Sequence, residues 1–151
     1  MTPFSGQPFD WSSLYEASDL PLLNYDVGDL PAMPLQTKML LGLLAFEDDP
    51  PAYLNPDDLT PKTDDYIDPA RIKYYGLAAY VDEQVGRAVD FLDSVEGLAE
   101  STLVIFTSDH GSLLYDHGGP NDKHSFLDAS WHVPLILRWP GVIPANVTSS
   151  F

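Results

Sequence analysis

Between residues 70 and 107 a long amphipathic pattern gives way, within a few residues, to an unbroken apolar run. No other feature restricts the possible folds of this chain as tightly. Ile72, Tyr75, Ala78, Ala79, Asp82, Val85, Val89, Leu92 and Val95 recur at three- and four-residue spacing, with Asp82 the polar interruption, while Glu83, Arg87 and Asp90 take the opposite face. That is the period of an α-helix over 70–96. Asp68-Pro69 suits its start, because proline fits a first helical turn and Asp caps one, and Gly97 suits its stop. Leu103, Val104, Ile105 and Phe106 then run without polar alternation, which predicts a strand covered on both faces. A helix leading directly into such a strand predicts an α/β fold on a parallel sheet. A second strand is expected from Val133 to Arg138, ended by Pro140-Gly141. One long helix and two strands cannot complete a doubly wound sheet, so the sheet calls for more strands than these residues supply.

The first 70 residues look different. Most of the fourteen prolines and several paired acids lie there, in stretches such as "GQPFDWSSLYEASDLPLLNYDVGDLPAMP" and "EDDPPAYLNPDDLTPKTDDYIDP". Proline removes backbone donors and interrupts periodic structure, so this part reads as ordered loops with short helical turns. Leu35 to Phe46 is its one expected helix. A loop-rich stretch of this length belongs on the surface of something larger. The chain therefore divides into a Pro/Asp-rich segment, 1–70, and a helix–strand–loop–strand segment, 71–151.

Seven Lys and Arg against 23 Asp and Glu give a net charge of −16. Phosphate backbones and acidic membrane surfaces need clustered cations, so nucleic acid and membrane partners are excluded as expectations. The pairs Asp48-Asp49, Asp57-Asp58 and Asp64-Asp65 lack the alternating spacing and glycine of a calcium loop and read as solvated loop charge. There is no cysteine, hence no disulfide, thiolate zinc site or cysteine nucleophile within the chain. No apolar run approaches the roughly 20 residues of a membrane span. "MTPFSGQPFDW" shows no secretion signal, and the compartment stays open. Asn146-Val147-Thr148 is a glycosylation sequon.

The chemistry concentrates in "TLVIFTSDHGSLLYDHGGPNDKHS", Thr102 to Ser125, which holds His110, His117 and His124 together with Lys123. Ligands of open α/β sheets bind at the carboxyl ends of strands, and Asp109-His110 stands at such an end. A carboxylate is a hard oxygen donor for Ca²⁺ or Mg²⁺, and imidazole accepts several metals. Two ligands do not complete a shell, so other carboxylates are required. The Lys123 ammonium is a point charge suited to a tetrahedral oxyanion, phosphate or sulfate. Taken singly, Asp-His after a strand is a common turn and a loop lysine is a solvated cation. Gathered in one loop, they make a metal-and-oxyanion site a balanced alternative to those readings.

"YVDEQVGRAVDFLDSVEGLAESTLVIFTSDHG" and "DHGGPNDKHSFLDASWHVPLILRWPG" resemble the sulfatases of the alkaline phosphatase superfamily. There a D-x-Q-V-G-R-like helix leads into a strand ending T-S-D-H-G or T-S-D-N-G. A G-[DE]-H-G, a lysine, a short helix and a V-P-L-I strand follow. The resemblance covers Tyr74 to Gly141 and is strongest toward members of the iduronate-2-sulfatase type. "TPFSGQPFDWSSLYEASDLPL" more loosely resembles the family's H-x-P-F … Y-x-x-x-D-[IL]-P-L region, with Met1 in place of the histidine.

The resemblance implies an alkaline-phosphatase-like sandwich with helices packed on a mainly parallel sheet, and both segments of the chain within one catalytic domain. It implies Asp109 and His110 as one pair of calcium ligands (Mg²⁺ being the other candidate) and Lys123 as the contact to the sulfate oxygens. His117 becomes a loop-organising residue. Asp128 stands near the site, and His132 occupies a position where many members carry Arg. His124 receives no role. The implied substrate is a sulfate ester, of glycans by analogy. The implied nucleophile is a formylglycine made from the Cys or Ser of C/S-x-P-x-R, yet this chain has no Cys and no Ser-x-Pro-x-Arg. The first pair of calcium aspartates also has no counterpart. The expectation is thus an internal piece of a sulfatase, inactive alone. A phosphodiesterase or phosphonate hydrolase of the same superfamily and a non-catalytic interaction module are the rival readings.

Overall fold

The computed structural model describes residues 10–24, 55, 57, 60–118, 121–123 and 126–148. The expected helix at Leu35 to Phe46, the pair Asp48-Asp49 and His124 lie outside the described residues. Two helices and two strands order the rest: α1 (Asp68–Ser94), β1 (Val104–Thr107), α2 (Asp128–Trp131) and β2 (Leu135–Arg138). No described helix is long and apolar enough to cross a membrane.

The 27-residue α1 lies where the periodicity puts it, with Pro69 in its first turn. Its start differs in detail from the expectation. Asp68 makes no capping hydrogen bond, because a π-helical turn, Thr63–Ile67, feeds straight into the helix. Asp68 instead faces the Arg71 guanidinium one turn on, at 3.5 Å. The C-terminus unwinds at extended Val95, and Gly97 takes a left-handed φ of 74° in the turn that follows.

Short turns of the 10–24 segment pack on α1. Asp10 caps the turn Trp11–Leu14 by accepting from the Ser12 amide at 3.0 Å. Trp11 meets Tyr80 edge-on at 5.8 Å, and Tyr15 meets Tyr75 at 5.6 Å. This approach requires Gly76, where a Cβ would collide with the Ser12 backbone. Buried Arg71 donates from Nη2 to the Pro21 carbonyl at 2.6 Å, while its Nε has no hydrogen-bond partner among the described residues. A small core of Ile67, Leu113 and Tyr115 gathers Leu23, Ala70, Leu127 and Ala129, and so joins the 10–24 segment, the start of α1 and the loop after β1.

β1 and β2 pair antiparallel, with Val104 opposite Arg138 and Thr107 opposite Leu135. The mainly parallel sheet is therefore not represented by this pair. Among the described residues the link between the strands carries the short 3-10 turn Asp116–Gly118 and the one-turn α2, and it returns the chain to β1 from the other end instead of crossing over. Cover on both faces is also not found among the described residues: Ile105, Leu135 and Ile136 are each more than half exposed. On α1, Leu77 and Phe91 are likewise bare. Apolar surface of this extent, uncovered among the described residues, marks faces suited to packing against a further element. Arg138 ties β2 back to α1 by donating from Nη2 to both Asp93 carboxylate oxygens at 2.6 and 2.9 Å, and the Trp139 indole donates to the Glu100 carbonyl at 2.7 Å.

Candidate metal and oxyanion site

The site begins where β1 ends. Asp109 and His110 leave the carboxyl end of the strand side by side, both exposed. Asp109 Oδ2 lies 3.6 Å from His110 Nε2, and its Oδ1 accepts from the His110 amide at 2.9 Å. His110 Nδ1 is 3.0 Å from the Gly111 carbonyl. Ser108 donates its hydroxyl to the His110 carbonyl at 2.6 Å. The two side chains thus present an oxygen and a nitrogen donor to one patch of solvent from a hydrogen-bonded turn.

Gly111 fixes the direction of that turn. Its N–H donates to the Ser130 carbonyl at 2.7 Å, and its α-carbon lies so close to α2 that a Cβ would strike the Ala129 carbonyl oxygen. Sequence reading gave this glycine no role; the signal was its place directly after Asp-His, where a strand must turn beside another element.

The next rung sets Lys123. Ser112 donates its hydroxyl to Asn121 Oδ1 at 3.1 Å, and the buried Leu113 donates its amide to the Asp122 carbonyl at 2.8 Å. Asp122 Oδ1 in turn accepts the Lys123 amide at 2.8 Å. Ten residues separate Lys123 from Leu113 in sequence, but the rung places them one step apart across the loop. Asp109, His110 and Lys123 are all three exposed, and the rung ties the backbone beside Lys123 to the loop that follows Asp109-His110.

The other expected residues sit around it in different ways. His117 adopts a left-handed φ of 56°, next to Gly118 at 71°, with Leu114 at 47° and Tyr115 at 72° close by. For a side-chain-bearing residue this costs on the order of 1–2 kcal/mol, which surrounding contacts must offset. His117 supplies one such contact, donating its amide to the Asn24 carbonyl at 2.7 Å. Asp128 opens α2 and accepts the Trp131 indole N–H at 3.2 Å. His132 closes α2, its amide bonded to the Asp128 carbonyl at 2.8 Å. Both side chains are exposed at the ends of the helix that buttresses Gly111, and neither bonds to Asp109 or His110 among the described residues.

Among the described residues no group of three or more His, Cys, Asp or Glu is arranged to hold a metal ion. Asp109 and His110 fit a divalent cation as two donors of a shell that needs six or more oxygens for calcium, and they do not complete it. Asn146 of the sequon stands exposed in a turn at φ 59°.

Comparison with known proteins adds to this geometry. The family model described as Sulfatase matches residues 37–151. Iduronate 2-sulfatase of Homo sapiens is 46% identical over 71 residues, covering 47% of this chain and 12% of that protein. The N-acetylglucosamine-6-O-sulfatase of Bacteroides thetaiotaomicron is 36% identical over 77 residues, covering 51% of this chain and 13% of that protein. Among solved structures, a phosphonate monoester hydrolase of Agrobacterium radiobacter superposes with a TM-score of 0.60 at 30% identity, over 89% of this chain and 26% of that one. The chain thus spans about an eighth of the length of these two relatives and about a quarter of the structural neighbour.

Proposed function

Since the chain belongs to the sulfatase family, within the alkaline-phosphatase-like hydrolases, we propose that it forms one lip of a sulfate-ester hydrolase site whose nucleophile lies outside these 151 residues. The observation that supports the reading is one loop: Asp109 and His110 stand at the carboxyl end of β1, and the Leu113–Asp122 rung ties the backbone beside Lys123 to the loop that follows them. Segments 1–70 and 71–151 are parts of one catalytic domain in this reading, since Leu23, Leu113 and Leu127 share a core.

Each residue has a definable task. Asp109 and His110 hold a divalent cation, calcium in preference to magnesium because the looser calcium shell tolerates two donors from one exposed turn with the remainder supplied by other oxygens. The bound cation supplies charge neutralisation at the sulfate oxygens. Lys123 directs a second positive charge at the same anion and lowers the cost of the charge developing on the transferred group. His117 organises the loop, while Asp128 and His132 bracket the buttressing helix near the substrate's approach. The formylglycine of the family has no precursor here, since the chain contains neither cysteine nor Ser-x-Pro-x-Arg, so no covalent step is assigned to these residues. A sulfated glycan is the favoured substrate class, by analogy with a relative named for a sulfated amino sugar.

A phosphonate or phosphate ester is the second reading, favoured by the structural neighbour. One experiment separates them. Turnover of an aryl sulfate and of a phosphonate monoester is measured with the polypeptide that contains these residues, beside its Lys123→Ala variant. Faster sulfate hydrolysis, reduced about 10²- to 10³-fold by the substitution, supports the proposal. Preference for the phosphonate moves the assignment to the second reading, and absence of both activities leaves an interaction module.

A further inference from the structure

Asn24 had no part in the sequence reading, yet three hydrogen bonds fasten it to the site loop across more than 90 residues of chain. Its amide donates to Asp116 Oδ1 at 3.0 Å, its carbonyl accepts the His117 amide at 2.7 Å, and its Nδ2 lies 3.1 Å from His117 Nε2. The first two bonds use the backbone of residue 24 and accept almost any side chain there. The third needs a short amide and an imidazole facing each other.

The neighbours of Asn24 are also fixed. Pro21 is held through its carbonyl by Arg71 at 2.6 Å, and Leu23 packs on Ile67, Leu113 and Tyr115. The stretch 21–24 is therefore anchored to the start of α1 at one end and to the site loop at the other. Within the loop, His117 stands in a left-handed conformation that an unrestrained histidine rarely adopts. Four residues before it, Leu113 makes the rung to Asp122 that places Lys123.

We propose that Asn24 is a positioning residue: by gripping the His117 ring it holds the strained 113–118 loop closed, and so keeps the Leu113–Asp122 rung, and Lys123 with it, in register with Asp109 and His110. The site this register serves is the one proposed above, so the role in catalysis rests on that reading. The mechanical coupling does not, because it is visible without substrate or metal.

Amide hydrogen exchange on the 151-residue chain tests it, with the Leu113 amide as reporter and amides in the middle of α1 as the control for global unfolding. Loss of one such bond corresponds to about a 2- to 10-fold change. Asn24→Ala and His117→Ala are each expected to accelerate Leu113 exchange by that factor while α1 stays unchanged. The double variant should be no faster than either single one. His117→Gln, whose side-chain oxygen can again accept from Asn24, should restore the native rate. Should Asn24→Ala fail to fold, Asn24→Ser keeps a polar residue too short to reach the ring and takes its place. An unchanged Leu113 rate in the Asn24 variants, additive effects in the double variant, or no rescue by glutamine would each overturn the proposal. Absence of sulfatase activity from a polypeptide that contains these residues, with the coupling intact in the 151-residue chain, would count against the functional reading alone.

Discussion

The Gly111 N–H donates to the Ser130 carbonyl at 2.7 Å, and this bond joins the Asp109-His110 turn to the one-turn helix α2. Little room is left between them: a Cβ on residue 111 would strike the neighbouring Ala129 carbonyl oxygen, which is backbone and cannot swing aside. Gly111→Ala is expected to cost about 1–3 kcal/mol of stability, through displacement of α2 or of the Asp109-His110 turn. Gly86→Ala is the matched control. Gly86 lies in α1 with nothing within 4 Å of a new Cβ, so the same change there should stabilise by about 0.5–1 kcal/mol. Chemical denaturation of both variants checks the pair, and equal effects would refute the claim that contact with α2 sets the turn.

Tyr115 gives the fold a dependence on alkaline pH. Burial, and then the charge of Tyr66, raise the pKa of its phenol above the ordinary value near 10. The folded state therefore holds this proton more tightly than the unfolded chain does. The associated stability is fully present below pH 10 and is lost as pH rises above it, once the unfolded chain ionises and the folded one resists. Denaturation midpoints across pH 8 to 11.5 should fall in the wild type, and Tyr115→Phe should flatten the part of that fall due to this group.

Calcium should bind the isolated chain weakly. Two donors from one turn replace few waters of a hard cation, so saturation below about 10⁻³ M is not expected, and Asp109→Asn should remove whatever binding there is. Calorimetric titration of the chain with calcium checks this. A micromolar site surviving Asp109→Asn would place the metal elsewhere in the molecule.

The position of the candidate residues in the fold was legible where its signals are local. Asp109 and His110 could be placed at a strand end since strand and motif are contiguous, and a four-residue apolar run needs no tertiary information to be recognised. The helix over 70–96 was legible for the same reason, its period being written in the order of Ile72, Tyr75, Ala79, Val85 and Val89. Its starting detail was not, because whether Asp68 caps the helix depends on the backbone before it, and there a π turn continues into the first helical turn. The mainly parallel sheet read from helix-then-strand is not represented by the one pair of strands among the described residues. The pair actually formed joins β1 to the strand after it, through a loop that reverses the chain.

The sequence by itself determined the family and the order of the candidate side chains, because the sulfatase-like pattern runs through Asp109, His110 and Lys123 along one stretch. Only the tertiary structure decided how they are held. The Leu113–Asp122 rung, the contact of Gly111 with α2 and the three bonds from Asn24 to Asp116 and His117 all join residues separated in the chain. Composition and period do not encode such pairings, since a hydrogen bond between distant residues exists only once folding has brought its donor and acceptor within reach.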